Sequence, residues 1–195
     1  MDVEWSRDGI VRIGGRLASD VLAKLKVEAQ GFAPGFRAGV SEVEIRRDGS
    51  FATPSMYGVH RGGPVLNGVQ RNMDLISKVR SVTGIDRLVP VRCSYNYYEP
   101  GDYMGIHRDE IRATVTATLT LTEGLPPTRY IERSRNWTNE ELAEFVTENG
   151  HLPESGDDMP LTMGVLNLFD GYNIAHWRPP VESNAVLANL VYFRL

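Results

Sequence analysis

The sequence predicts an α+β fold, mainly β with flanking helices, in a single domain of 195 residues. Three observations predict it. From Leu88 onward the chain runs in short segments rich in Val, Leu, Thr and Tyr, the composition of strands, separated by Gly, Pro and Asp. Before Leu88, two segments carry apolar residues at helical spacing between capping residues. A chain of this length buries one sizeable core and leaves little for a second.

The elements follow in order. Ser19 is a good N-cap for a helix running through Val21, Leu22, Leu25 and Ala29 to Gly31, which stands where a left-handed C-cap belongs. A second helix is expected over Asn72 to Gly84, with Leu75, Ile76, Val79 and Val82 on one side. Between them, Pro34 to Gly68 is dense in Gly and Pro and reads as strand and loop, with a strand at Ser41 to Ile45 and a turn at Asp48-Gly49. Strands are expected over Leu88 to Tyr98, Ala113 to Thr122, Leu161 to Phe169, Ile174 to Trp177 and Val186 to Arg194. Thr114 to Thr122 alternates strictly, so its threonines share one face and Val115, Ala117, Leu119 and Leu121 the other. A third helix interrupts the strands: Thr138 and Glu141 form a capping box, Trp137 and Leu142 a hydrophobic staple, and Gly150 follows its end.

Bulk properties narrow the function. No apolar run approaches the roughly 20 residues that span a bilayer, and the mean hydropathy of −0.27 suits a soluble protein. Met1 to Asp8 lacks the apolar stretch of a signal peptide, so the cytoplasm is the expected compartment. The single cysteine, Cys93, forms no intramolecular disulfide and fits a reducing environment. A formal charge of −4 argues against a nucleic-acid partner chosen by bulk electrostatics. A small-molecule substrate and a monomer or homodimer are expected.

His107 and Asp109 stand two apart in His-Arg-Asp at the end of a strand-like stretch, so an extended backbone turns both side chains to one side. His176, in Tyr-Asn-Ile-Ala-His-Trp-Arg, offers a third donor from a predicted strand far along the chain. Two imidazoles and a carboxylate make a facial set that leaves positions of an octahedral iron(II) open, as oxygen activation requires. Metal ligation by His107, Asp109 and His176 is therefore the leading functional expectation.

The surrounding residues sharpen it. Asn96-Tyr-Tyr-Glu-Pro-Gly-Asp-Tyr-Met-Gly-Ile-His-Arg-Asp109 resembles the strand, turn and strand that carry the first two ligands in the iron(II) and 2-oxoglutarate-dependent dioxygenases, and its Asn-x-Tyr-x-Pro-Gly looks like the AlkB-type branch. Pro160 to His176, followed by Pro179-Pro180-Val181, resembles the stretch that delivers the family's distal histidine. The resemblance covers about Arg92 to Arg194. It implies a double-stranded β-helix, or jelly-roll, core over 88–195 with 1–87 as helical support and substrate loops. It also implies Fe(II), 2-oxoglutarate and O2 as cofactors, with Asn96 and Tyr98 touching the oxoacid. The presence of Asp109 argues against halogenation, because related halogenases lack this carboxylate.

One part of the family pattern is missing. Members usually hold the distal carboxylate of 2-oxoglutarate with an Arg or Lys about ten residues past the last histidine, and Glu182 to Leu187 offers none. Either another cation substitutes, or the acid differs, or no oxoacid is used. Arg178 is the first substitute, sharing the inward face of His176 if the strand is regular, against its reading as a rim residue beside Pro179; Arg194 and Arg92 follow. Tyr95, Tyr97 and Tyr103 read as half-buried packing, Arg133 and Arg135 as solvated charge ahead of a helix, and His60 and His151 as ordinary histidines. The expected activity is oxidation of a C–H bond in a small molecule such as an amino acid or secondary metabolite. Its rivals are AlkB-like demethylation of alkylated nucleic acid, which needs a basic groove and a base clamp, and an iron oxygenase independent of 2-oxoglutarate.

Overall fold

The computed structural model describes residue 5, residues 9–32 and residues 34–195, so the expectation for Met1 to Asp8 lies, apart from Trp5, outside the described residues. The major sheet runs from edge to edge through β1 (Ile10–Arg16), β11 (Val165–Phe169), β8 (Val115–Thr120), β13 (Ala185–Arg194), β6 (Leu88–Tyr98), β5 (Tyr57–Arg61) and β2 (Phe36–Ala38). The minor sheet is β10 (Asp157–Met159), β9 (Thr128–Tyr130), β12 (His176–Arg178) and β7 (Met104–His107). Every pairing within these two sheets is antiparallel. The sheets face each other across a cavity of about 910 Å³, lined by Asn96, Thr116 and Asn189 from one and His107, His176 and Arg178 from the other. This is the jelly-roll arrangement. A small ladder of β3 (Glu44–Ile45) and β4 (Phe51–Ala52) stands apart, and the Asp48-Gly49 turn between its strands is closed by the Asp48 carboxylate accepting from the Ser50 N–H at 3.0 Å.

The helices explain where the apolar core sits. Along β8, Val115, Ala117 and Leu119 turn outward with Ala188, Leu190 and Tyr192 of β13. They pack beneath α1 (Ser19–Gln30), which contributes Leu25 and Ala29, and α3 (Met73–Thr83), which contributes Ile76 and Val79. Asn72 caps α3 by accepting from the Leu75 N–H, and Gly84 ends it in the left-handed region, as its sequence predicts. A second cluster lies outside the minor sheet, where Ile106, Ala175 and Trp177 meet Leu142 and Val146 of α4 (Asn139–Asn149). The Thr138–Glu141 capping box is formed, and Trp137 packs on the same cluster as Leu142. Apolar packing thus wraps the outside of both sheets, and the space between them mixes polar side chains with Met104, Phe169 and Leu187.

Several expectations are corrected. The helix α1 begins at Ser19, with Ala18 in the cap position and no side chain capping it; its entry is set by the Leu17 N–H bonding the Gly164 carbonyl. Gly31 stays right-handed at φ −75°, because its N–H bonds the Val27 and Glu28 carbonyls and the chain leaves through a turn. The stretch read as strand and loop contains a helix, α2 (Pro64–Gln70), whose cap comes from another element: Glu28 of α1 accepts from the N–H groups of Val65 and Leu66 at 2.6 and 3.0 Å. The sheet is also not confined to residues after Leu88, since β1, β5 and β2 extend both its edges. Among the described residues, no helix is long and apolar enough to cross a membrane.

Candidate metal centre

His107 closes β7 and His176 opens β12, and the two are register partners across the minor sheet, which sets their rings side by side at 4.1 Å between centroids. Asp109 follows just past β7 on the same side, as a two-residue spacing requires. Its Oδ1 lies 3.6 Å from His107 Nε2 and 4.0 Å from His176 Nε2. Among the described residues these three form a group whose ligand atoms all lie within 4.8 Å of one another. The sequence-predicted triad is thus brought together.

The remaining contacts orient these donors. His107 Nδ1 meets the Gly105 carbonyl and His176 Nδ1 the Ile174 carbonyl, each at 2.9 Å and each two residues back on its own chain. A carbonyl only accepts, so Nδ1 carries the hydrogen in both rings and Nε2 is the nitrogen turned toward Asp109. Asp109 Oδ2 accepts from the Thr116 hydroxyl at 2.8 Å, and its backbone N–H donates to the Gly171 carbonyl at 2.8 Å. A Cβ on Gly171 would overlap that same carboxylate oxygen, so the close approach requires glycine. Phe169 packs edge-on against His176 at 4.5 Å. Burial, with the neighbouring His107 adding to it, pulls His176 down to about 3, leaving an unprotonated nitrogen for a cation. Burial opposes ionisation of Asp109, yet the His107 contact, the two imidazoles and the Thr116 hydroxyl together hold it well below the usual carboxylate range.

Arg108, between the two ligands in sequence, points the other way. It donates to the Ser134 and Trp137 carbonyls and to Asn139 Oδ1. Ser134 Oγ in turn accepts from the Ala175 N–H at 2.9 Å, so the backbone beside His176 is braced from the residue beside His107.

The other predicted residues lie in the cavity wall, as Asn96 and Arg178 do, or directly behind it, as Tyr98 does. Tyr98 and Arg178 are each 1% exposed. Arg178 donates to the Tyr98 hydroxyl at 2.5 Å and to Thr128 Oγ1 at 2.7 Å, and its Nε is buried without a partner among the described residues. The rim reading of Arg178 is overturned. Asn96 is buried on the cavity floor and accepts from the Ser94 hydroxyl at 3.3 Å. Of the other cations considered, Arg92 lines the cavity but pairs with Glu110, and Arg194 belongs to a separate cleft with Arg87 and Leu195. Leu187 is buried opposite Asn96, with no basic side chain in its stretch.

The remaining readings sort cleanly. Tyr95 donates to Glu28 and Tyr97 to the Ala29 carbonyl, both on the helix side of the sheet. Tyr103 packs on His151, His60 stacks on Phe32, Arg133 lies over Trp137 and Arg135 pairs with Asp170. Sequence reasoning missed Tyr57, stacked on Tyr98 at 5.4 Å, together with Thr116, Thr128 and Gly171. Only Thr116 carried a signal, in the alternation of its strand.

Two facing antiparallel sheets with a two-histidine, one-carboxylate group between them define the double-stranded β-helix class to which the iron(II) and 2-oxoglutarate oxygenases belong. No protein-family model matches the chain, and no curated protein matches it in sequence. Solved structures do match in fold. The non-haem α-ketoglutarate-dependent epimerase SnoN from nogalamycin biosynthesis aligns with a TM-score of 0.72 at 14% identity, over 97% of this chain and 78% of its own. HygX from Streptomyces hygroscopicus, solved with nickel and 2-oxoglutarate bound, aligns at 0.68 and 12%, over 97% and 84%. A Pseudomonas putida prolyl-4-hydroxylase aligns at 0.60 and 16%, over 98% and 96%. At such identities the likeness is one of fold.

Proposed function

We propose that this chain is a non-haem iron(II) oxygenase that uses 2-oxoglutarate and O2 to oxidise a C–H bond of a small molecule. The observation that carries the reading is the convergence of His107, Asp109 and His176 on one point inside the cavity. The donor set fits the metal: two imidazole nitrogens and one ionised carboxylate from one side suit iron(II) and leave the opposite positions free. Iron(II) with 2-oxoglutarate and O2 supplies the oxidising power to break an unactivated C–H bond.

The chain's own residues supply placement. Asp109 is held in its ionised form and aimed by Thr116, and the two rings are fixed by their own backbone carbonyls. Arg178 is the cation for the distal carboxylate of the oxoacid, since its Nε is buried and unpaired among the described residues and Tyr98 and Thr128 hold the guanidinium in place. Asn96 offers its amide on the same floor. The cavity, at about 910 Å³, is the size of a small-molecule site. Residues 1–195 act as one domain, because β1, β5 and β2 share a sheet with the later strands.

Anaerobic addition of iron(II) and then 2-oxoglutarate tests metal and cosubstrate separately, through the weak visible charge-transfer band that the pair develops. His107→Ala and His176→Ala are expected to abolish iron-dependent turnover while circular dichroism stays unchanged. Arg178→Ala is expected to raise the oxoacid concentration required more than it weakens iron uptake. Retained turnover in either histidine variant refutes the ligand set, and an unchanged oxoacid titration removes Arg178 from the site.

A further inference from the structure

The cavity is the basic part of an acidic protein. Its lining holds Arg37, Arg46, Arg61, Arg92 and Arg178, with the Arg108 side chain turned away from it, against two acids, Asp109 and Glu110, in a chain of formal charge −4. Most of these cations are committed. Arg37 pairs with Asp102 and Glu99, Arg46 with Glu44 and Arg92 with Glu110, while Arg108 is taken up by backbone carbonyls. Arg178 serves the inner end beside Tyr98. Among the described residues Arg61 alone of this set has no ion-pair or hydrogen-bond partner for its guanidinium.

Arg61 stands at the end of a polar row. Strand register places Arg61 opposite Ser94, Ser94 opposite Asn189, and Asn189 opposite Thr118, so the four side chains share the cavity face across β5, β6, β13 and β8. Two of them are unsatisfied: Asn189 Oδ1 and Thr118 Oγ1 are buried with no partner among the described residues. A buried acceptor left unpaired costs stability, and both atoms line the cavity, where a ligand's hydroxyl or amine protons would satisfy them. The cationic end of the row lies away from the oxoacid's inner end: Ser94, opposite Arg61, is four residues along β6 from Tyr98, roughly 13 Å at strand rise, while Ser94 itself adjoins Asn96 through its 3.3 Å hydrogen bond.

We infer that the molecule this cavity receives is a small anion bearing hydroxyl or amino groups, its carboxylate or phosphate monoester held by Arg61 and its hydrogen-bond donors by Asn189 and Thr118. The inference rests on the oxygenase reading only in making that anion the substrate; the binding site stands on the row itself.

The test is thermal unfolding at low salt in three probes that share one polyol body: gluconate, glucose 6-phosphate and glucose. Each is added to metal-free protein and to protein held anaerobically with iron(II) and saturating 2-oxoglutarate. At least one of the two anions is expected to raise the midpoint by about 3 °C at tenfold its dissociation constant, with glucose without effect. Arg61→Gln is expected to remove the shift and leave the iron and 2-oxoglutarate band intact. Asn189→Leu, which deletes an unsatisfied atom, is expected to keep the protein at least as stable and to weaken anion binding several-fold. The inference is overturned if neither anion shifts the midpoint, if glucose shifts it equally, or if Arg61→Gln retains the effect. A shift lost in Arg178→Gln but kept in Arg61→Gln places the anion in the oxoacid's position and also overturns it. An anion shift that survives while no iron or 2-oxoglutarate binds sinks the oxygenase reading and leaves the anion site standing.

Discussion

The two faces of β8 are built to opposite rules. Its outward residues, Val115, Ala117 and Leu119, are sealed against helices, whereas its inward residues, Thr116, Thr118 and Thr120, are also buried, and Thr116 and Thr118 line the cavity between the sheets. Among the described residues Thr118 and Thr120 have hydroxyls with no partner, and Thr116 holds the carboxylate of Asp109. One face is closed and satisfied; the other is closed and left waiting. Stability is concentrated on the first and chemistry on the second, and single substitutions should separate them.

The largest effect is expected from Leu119→Ala on the sealed face. Leu119 is fully buried, and truncation there costs about 3 kcal/mol, read by denaturant unfolding, while iron affinity per folded molecule is unchanged. Gly171→Ala should do the reverse: the new methyl displaces the Asp109 carboxylate and lowers iron affinity by roughly 10–100-fold, measured by competition with a chelator, with a smaller loss of stability. Thr138→Ala removes the capping box at the start of α4 and should cost about 1 kcal/mol, with no change in iron uptake. Smallest of all is Thr118→Val, which swaps an unpaired buried hydroxyl for a methyl of similar volume; its stability should be unchanged or slightly raised. A clear destabilisation by that last change would mean the inward face is packed and satisfied like the outward one.

The same division governs what could be read from the sequence. Features with local causes were legible. The bounds of β6, the caps of α3, the capping box of α4 and the two faces of β8 each depend on residues a few positions apart. The three ligands were legible because a two-residue spacing in a strand puts His107 and Asp109 on one side, and His176 lay in the second recognisable stretch. Features whose cause lies far along the chain were not. The cap of α2 is supplied by Glu28, and β1 exists because β11 offers it an edge. Alternation announced a threonine face without saying that another sheet covers it. Likewise, alternation set Arg178 beside His176, but its burial comes from Tyr98 and Thr128. Gly171 gave no sign, since its role is the space it leaves for Asp109.

The rear nitrogen of each imidazole is tied to a backbone carbonyl two residues before it, which orders both rings ahead of a cation. Folding has already met the ordering that capture of an ion normally requires, which favours tight, fast uptake. The same rigidity sets a limit on what is admitted. Calcium seeks six to eight oxygens at longer reach, and a group offering two imidazoles and one carboxylate is expected to hold it poorly.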